Sequence, residues 1–410
     1  MRRLVAGFAA VAVAASVILV AQSASADDIR AREYWLTNYG ITQAWNTTKG
    51  AGVTIAVIDT GVDGTHPDLT GTVVGGTDVS GAGSPNGQKP ISSEPEHGTM
   101  VASLLAGHGH GAGAGVIGVA PEAKILSVSV GFGVGSVSSD DQIATAIRWA
   151  VDHGADVINM SLTRNTLEWP TSWDDAFLYA MEHNVIVVAA AGNRGSGTTE
   201  IGAPATMPGV LVVAGVDRNG KTSFDASSQG ITIAVSAPSE ELVGAVPGGG
   251  YYQWAGTSGA TPIVAGIVAL VKAAHPGLDA GNIIHRLTAT ATAVGKVPNA
   301  SYGYGLVNAA AAVTANVASV KANPADDLKA WIRLHRRAAS TPAPQTTNTG
   351  SPVPVQQRAA APLNPLGSVL PSIESLRNAG IPLLVYLVFG SLLVLLLRRV
   401  VLKFRGARRK

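Results

Sequence analysis

Four residues of types that can together hydrolyse an amide or ester bond stand in four separate segments of the chain. Asp59 ends an apolar run, His97 precedes Gly-Thr, Asn193 follows Ala-Ala-Gly, and Ser258 lies within Gly-Thr-Ser-Gly. A serine hydroxyl becomes a nucleophile when a base such as histidine removes its proton, and a carboxylate can orient that base. An amide can donate a hydrogen bond to the oxyanion that forms. The four types predict acyl-transfer chemistry if the fold brings them together.

Each of these residues also has an ordinary structural interpretation. Ser258 could cap a helix, and Asn193 could belong to a Gly-Asn turn. Asp63 is a second candidate for the orienting carboxylate. Asp59 is the stronger candidate because it ends an apolar run, which predicts a defined position and partial burial. The catalytic interpretation therefore depends on the four segments together.

Composition and net charge exclude several other kinds of site. The chain has no cysteine, which excludes disulfides, a cysteine nucleophile and thiolate-bound metals. Its net charge of +2 predicts no nucleic-acid partner. His108 and His110 form a His-Gly-His pair, but no acidic residue or further histidine lies near them in sequence. We therefore predict neither a metal site nor a cofactor.

Alternating apolar and amphipathic segments predict an α/β fold. The apolar, β-branched runs suit strands buried on both faces of a parallel sheet, and they span 53–58, 125–130, 157–160, 185–189, 210–213 and 231–235. Helical patterns span 99–106, 141–153, 173–183 and 258–274. This alternation predicts a doubly wound, mostly parallel sheet with helices on both faces. In such sheets ligands bind beyond the carboxyl ends of the strands, where Asp59 and Asn193 are expected.

The four segments resemble the motifs of the subtilisin-like serine proteases, peptidase family S8. The motifs that carry the resemblance span 57–61, 97–102, 190–193 and 256–262, in the order Asp, His, Asn, Ser, and the resemblance extends over about 52–311. It implies a subtilisin-like fold and a serine endopeptidase with Asp59, His97 and Ser258 as its triad. Asn193 would donate to the oxyanion. A sedolisin-type acid peptidase shares the fold but requires a glutamate base where this chain has His97.

The resemblance also implies a groove for an extended polypeptide substrate, which pairs with edge segments of the enzyme. The implied substrate-binding residues are Gly131, Phe132, Gly133, Ser161, Leu162, Thr163, Ala190, Ala191 and Gly192. The family usually has glycine where this chain has Thr163. A β-branched side chain there would narrow the first pocket, so we expect a preference for small or narrow residues before the cut. Relatives often bind calcium in the loop matching 108–116, but here that loop offers no Asp or Asn ligand.

The N-terminus has the pattern of an export signal. Arg2 and Arg3 precede an apolar stretch over 4–20, and Ala24-Ser25-Ala26 provides a small-residue cleavage pattern. We predict a signal peptide over 1–26, with an uncleaved anchor as the alternative. Residues 27–50 would then form an N-terminal arm, too short for an independently folded pro-domain. The predicted protease domain spans 51–320.

A second apolar run, 381–397, lies near the C-terminus. At about 1.5 Å per residue a helix of this length would be about 25 Å long, just enough to cross the hydrocarbon core. Seven basic residues and no acidic residue follow it, which predicts a cytoplasmic tail. We predict a Pro-rich linker over 321–380, a transmembrane helix over 381–401 and a basic tail over 402–410. The alternative is a buried core helix.

Within the linker, 326–337 could form a short basic helix that either caps the domain or contacts a partner or lipid. The layout of signal peptide, arm, protease, linker, single helix and basic tail resembles that of the mycosins, proteases associated with type VII secretion. It implies a single-pass cell-membrane protein, with the protease domain outside the cytoplasm and a type VII secretion complex as partner. The alternative is a mainly structural component of that complex with dispensable proteolysis.

Overall fold

A parallel sheet of seven strands forms the centre of the molecule, in the order β2-β3-β1-β4-β5-β6-β7. The computed structural model describes residues 29–135 and 137–336. The strands are β1 (Thr54–Asp59), β2 (Val73–Asp78), β3 (Lys124–Ser129), β4 (Val157–Met160), β5 (Ile186–Ala190), β6 (Leu211–Val216) and β7 (Ile233–Pro238). A separate antiparallel hairpin joins β8 (Leu242–Ala245) to β9 (Tyr251–Trp254). The predicted α/β fold with a mostly parallel sheet is confirmed.

The helices cover both faces of this sheet and create two hydrophobic cores. They are α1 (Tyr34–Asn38), α2 (Ile41–Ala44), α3 (His97–Ala106), α4 (Ser139–Asp152), α5 (Thr171–Glu182), α6 (Thr257–Ala274), α7 (Ala280–Thr290), α8 (Ala309–Thr314) and α9 (Pro324–His335). Alternation along β1 separates the cores: Ile55 and Val57 face α3 and α6, whereas Ala56 and Ile58 face α4 and α5. All four side chains are fully buried.

Helix α6 is the one described helix that is long and apolar enough to cross a membrane, but most of it is buried within the protein. Its composition reflects its position against β4–β7, where nearly every side chain contacts other apolar groups. The predicted signal peptide (1–26), transmembrane helix (381–401) and basic tail (402–410) lie outside the described residues. So does the predicted linker beyond residue 336.

The N-terminal arm packs into the same core as α3 and α6. Trp35 and Ile41 are fully buried, and the Trp45 indole donates a hydrogen bond of 2.8 Å to the Val119 carbonyl. The arm is too short to bury a core of its own, so its aromatic side chains find their apolar environment against the main domain. Among residues 29–50, apolar side chains therefore form part of the hydrophobic core of the domain.

Helix α9 lies within the range predicted as linker, and it packs against α5. Asn323 caps its first turn and Pro324 occupies the first helical position. Leu328 is fully buried, and the ring of Trp331 lies 4.2 Å from that of Trp169. These contacts favour the domain-capping alternative for this helix and place it against the main domain.

Hydrogen bonds with the side chains of Arg30 and Asp68 fix the loop 108–116. The Arg30 guanidinium donates hydrogen bonds to the carbonyls of Ala114 (3.2 Å) and Gly115 (3.1 Å). The fully buried Asp68 carboxylate accepts from the Val116 N–H at 2.8 Å and lies 2.5 Å from Nδ1 of His110. Arg30, a residue of the N-terminal arm, thus donates hydrogen bonds to two backbone carbonyls of this loop.

Candidate active site

The carboxyl ends of three neighbouring strands, β1, β4 and β5, build the candidate site. Asp59 is the last residue of β1, Ser161 follows β4 directly, and Asn193 stands three residues beyond β5. Because parallel strands end at the same edge of the sheet, residues far apart in sequence meet there. Helix α6 packs against β4–β7, and its first turn carries Ser258.

Asp59 and His97 form a hydrogen-bonded pair. Nδ1 of His97 lies 2.8 Å from Oδ1 of Asp59, whose carboxylate is only 2% exposed. The same oxygen accepts from the Thr60 N–H at 2.7 Å, while Thr60 Oγ1 accepts from the N–H of Gly98 at 3.1 Å. Thr60 thereby joins the end of β1 to the start of α3. The pair has the geometry by which a carboxylate selects the imidazole tautomer with its proton on Nδ1.

The surroundings of His97 favour its protonated form. Burial lowers the pKa of the imidazole, but the charge and hydrogen bond of Asp59 raise it, and the charges of Glu94 and Glu96 add to that effect. The pKa of His97 therefore lies above its ordinary value of 6.5. A base with a raised pKa accepts a proton more strongly, and it is neutral only at higher pH.

The Ser258 hydroxyl is held next to β4. Its Oγ donates to the Ser161 carbonyl at 3.1 Å, and Ser161 Oγ donates in return to the Ser258 carbonyl at 2.8 Å. Pro262, four residues further along α6, has no N–H to offer that carbonyl, which frees it for Ser161. The hydroxyl is bound to Ser161 and not to His97, so attack requires the Ser258 side chain to turn towards the imidazole.

The side chain of Asn193 is oriented by Thr257. Its amide oxygen accepts from the Thr257 N–H at 2.8 Å and from the Thr257 hydroxyl at 2.9 Å. Because the oxygen is occupied, Nδ2 is the end of the amide that can donate to a ligand. A Cβ at Gly256, where φ is +144°, would lie 3.0 Å from Nδ2 and crowd it. Sequence reasoning did not assign a role to Thr257, although it stands beside Ser258 in Gly-Thr-Ser.

Bulky side chains from the β8–β9 hairpin fill the space beside Gly259. A Cβ at Gly259 would lie 2.3 Å from Cδ1 of Leu242 and 3.3 Å from the Trp254 ring. That ring also meets the His97 imidazole edge-to-face, with centroids 5.8 Å apart. The glycine after Ser258 therefore leaves room for Trp254, whose ring packs against His97. The sequence offered no signal for this contact, because the hairpin was not predicted.

Two segments expected to bind substrate are already bonded within the protein. The Gln142 side chain binds both backbone groups of Gly131. The Gly131 N–H donates to Oε1 of Gln142 at 2.8 Å, and Nε2 of Gln142 donates to the Gly131 carbonyl at 3.3 Å. Phe132 and Gly133 remain exposed beyond it. Likewise the Gly192 N–H donates to Thr257 Oγ1, and its carbonyl accepts from the Ser228 N–H. Gly131 and Gly192 can thus wall a groove, but their N–H groups already donate within the protein.

The remaining expected substrate residues surround the site in two groups. Ala190 and Ala191 are buried at the end of β5. Ser161, Leu162 and Thr163 line a cavity of about 330 Å³ together with Asp59 and His97. The structure therefore brings 161–163 next to the histidine, and 190–192 next to Asn193.

Comparison with known proteins agrees with this geometry. The chain matches the subtilase family, peptidase S8, over residues 50–305. It is 38% identical to subtilisin E of Bacillus subtilis (strain 168) over 266 residues, which cover 64% of this chain and 66% of that protein. The chain thus spans slightly under two thirds of the length of subtilisin E.

Solved structures of mycosins are also similar. MycP1 from Mycobacterium smegmatis has a TM-score of 0.60 at 30% identity, over 70% of this chain and 85% of that one. MycP3, a protease from the type VII (ESX-3) secretion system, has a TM-score of 0.60 at 31% identity, over 69% and 88%. The predicted resemblance to mycosin-like subtilisins is confirmed. With the family motifs, the fold and the paired aspartate and histidine all in agreement, this chain belongs to the subtilase family of serine proteases.

Proposed function

We propose that the chain is a serine endopeptidase in which Asp59, His97 and Ser258 form the catalytic triad. The observation that carries the proposal is the 2.8 Å hydrogen bond between buried Asp59 and His97. It stands at the strand edge where the first turn of α6 presents Ser258. A histidine that is oriented by a carboxylate is suited to act as the general base for a serine that turns towards it.

The proposed reaction proceeds through an acyl-enzyme. Ser258 Oγ attacks the substrate carbonyl carbon while its proton passes to Nε2 of His97, and Asp59 holds the proton on Nδ1. Nδ2 of Asn193 and the Ser258 backbone N–H stabilise the resulting oxyanion, since N–H groups in a first helical turn lack intrahelical partners. His97 then protonates the leaving amine, and a water molecule hydrolyses the ester by the same steps.

Covalent labelling tests this assignment. A serine-directed fluorophosphonate should modify the purified full-length protein at Ser258, and Ser258→Ala should abolish labelling. Ser196→Ala is a matched control because it removes the hydroxyl of an exposed serine shortly after Asn193. Absence of labelling in folded wild-type protein, or equal loss in both variants, would contradict the proposal.

We further propose that one C-terminal helix over 381–401 anchors the enzyme to the cell membrane, with its protease domain outside and residues 402–410 in the cytoplasm. The apolar run and the basic tail support this topology. A chain truncated before Ile381 should move from the membrane fraction to the medium. Truncated protein that stays in the membrane would contradict the anchor.

The similarity to MycP3 supports a role in type VII secretion, with exported polypeptides as substrates. Deleting the gene should then block secretion, and Ser258→Ala should leave its substrates uncleaved. If Ser258→Ala restored normal secretion and processing in the deletion strain, the protein would act as a structural component instead.

A further inference from the structure

An acidic residue, Glu94, lines the cavity beside His97 and bears on which polypeptides the proposed enzyme cleaves. The cavity of about 330 Å³ is lined by the catalytic pair, by Phe132 and Leu162, and by residues 92–94. Glu94 is one of the lining residues, and it is exposed to solvent. Within the described ranges, 29–135 and 137–336, no hydrogen bond or ion pair engages its carboxylate.

The backbone fixes Glu94 relative to the catalytic base. The Glu94 carbonyl accepts from the His97 N–H at 3.2 Å, and its own N–H donates to Ser92 Oγ at 3.4 Å. Ile91 anchors the start of this segment through a 2.8 Å hydrogen bond to the Thr60 carbonyl. Ser92 adopts a φ of +96°, an uncommon conformation for a residue with a side chain. Glu94 thus belongs to a turn that is hydrogen-bonded to His97 and to Thr60, the residue after Asp59.

The walls of the cavity suit a long basic side chain. Phe132 is 41% exposed and Leu162 is half-buried, so both offer apolar surface to an aliphatic stem. Arginine and lysine bury such stems and place their charge at a polar end. The Glu94 carboxylate provides that end.

Substrate geometry places one particular residue in this cavity. In an extended peptide, successive side chains point to opposite faces. If the residue before the cut faces the wall at 190–192, the preceding residue points to the other face of the peptide, and we infer that it meets the part of the cavity that His97 and Glu94 line. This step rests on the proposed endopeptidase function.

We propose that Glu94 is a specificity-determining residue that favours arginine or lysine as the second residue before the cleaved bond. A net charge of +2 for the whole chain gives no general attraction for cations, so the preference comes from the local carboxylate. Glu96 stands at the N-cap of α3, where a negative charge favours the helix dipole, whereas Glu94 lies before the helix. Only Glu94 lines the cavity.

Peptide p-nitroanilides test this preference, because they fix which bond is cut. The full-length protein is assayed with acetyl-Ala-Ala-X-Ala-p-nitroanilide, where X is arginine, its neutral isostere citrulline, or glutamate. We expect kcat/KM for arginine to exceed that for citrulline by about two- to fivefold, the effect of one solvent-accessible ion pair. The glutamate peptide should be the poorest, and added salt should reduce the differences.

Two matched variants separate Glu94 from a general electrostatic effect. Glu94→Gln should bring the arginine-to-citrulline ratio close to one, whereas Glu96→Gln, with the same loss of charge, should preserve it. A ratio of one in the wild-type enzyme, or equal loss in both variants, would overturn the assignment while leaving the protease function intact. Failure to hydrolyse any of the peptides, together with no fluorophosphonate labelling, would refute the protease function and this inference with it.

Discussion

Thr257 offers the most direct test of how Asn193, the proposed oxyanion donor, is oriented. It is fully buried, and its hydroxyl donates to Oδ1 of Asn193 while accepting from the N–H of Gly192. Thr257→Val keeps the shape of the side chain but removes both hydrogen bonds. The Gly192 N–H would then be buried without a partner.

The expected cost follows from these two bonds. An unsatisfied buried N–H costs about 1–3 kcal/mol and a lost hydrogen bond about 1 kcal/mol, so we expect a loss of about 2–4 kcal/mol in the free energy of unfolding. Removing an oxyanion donor outright lowers turnover by about 100- to 1,000-fold, a magnitude measured in subtilisin itself. Thr257→Val leaves Asn193 one bond, to the Thr257 N–H, so a smaller loss in kcat of about 10-fold is expected.

The assay combines denaturant unfolding with hydrolysis of a peptide p-nitroanilide. Thr261→Val is the matched control: Thr261 is equally buried on α6, but its hydroxyl donates only to the Thr257 carbonyl within the helix. It should leave kcat within about twofold of wild type, as expected for a group that does not reach Asn193. Folded Thr257→Val protein with wild-type kcat, or an equal fall in Thr261→Val, would refute the reasoning.

Three further predictions concern packing and pH. Gly259→Ala places a Cβ 2.3 Å from Leu242 Cδ1, so we expect about 1–3 kcal/mol of destabilisation in denaturant unfolding; unchanged stability would contradict the packing. Trp35→Ala should cost about 3–5 kcal/mol, because this arm residue is fully buried, and a thermal shift of less than a degree would argue against the arm as part of the core. The pKa of His97 is raised, so kcat/KM should fall on acidification with a midpoint above pH 6.5; a midpoint below that value would show that Asp59 does not outweigh burial.

Much of the sheet could be predicted because its strands are buried on both faces. The run at 157–160 corresponds to β4 without a shift, and the other predicted strands differ from the structure at their ends. Strand β2 was missed because it contains two glycines and is only partly buried at the sheet edge. The β8–β9 hairpin was also missed, because β9 is largely exposed and carries no apolar run.

Local sequence determined the types and the chain positions of the groups at the site. Asp59 ends a strand, His97 begins a helix, and Ser258 falls in a first helical turn, as the motifs indicate. These features depend on neighbouring residues only, which is why they can be read from the sequence.

Contacts between distant segments were decided only by the tertiary structure. Thr257 fixes the amide of Asn193, and Trp254 packs on His97 because Gly259 leaves room for it. Gln142 binds the backbone N–H and carbonyl of Gly131, a residue that the family resemblance assigns to substrate binding. Each of these contacts forms only when the sheet and both helical layers are assembled, because only then do the residues lie within contact distance. A linear sequence states which groups are present, but a distance between them exists only in the folded chain.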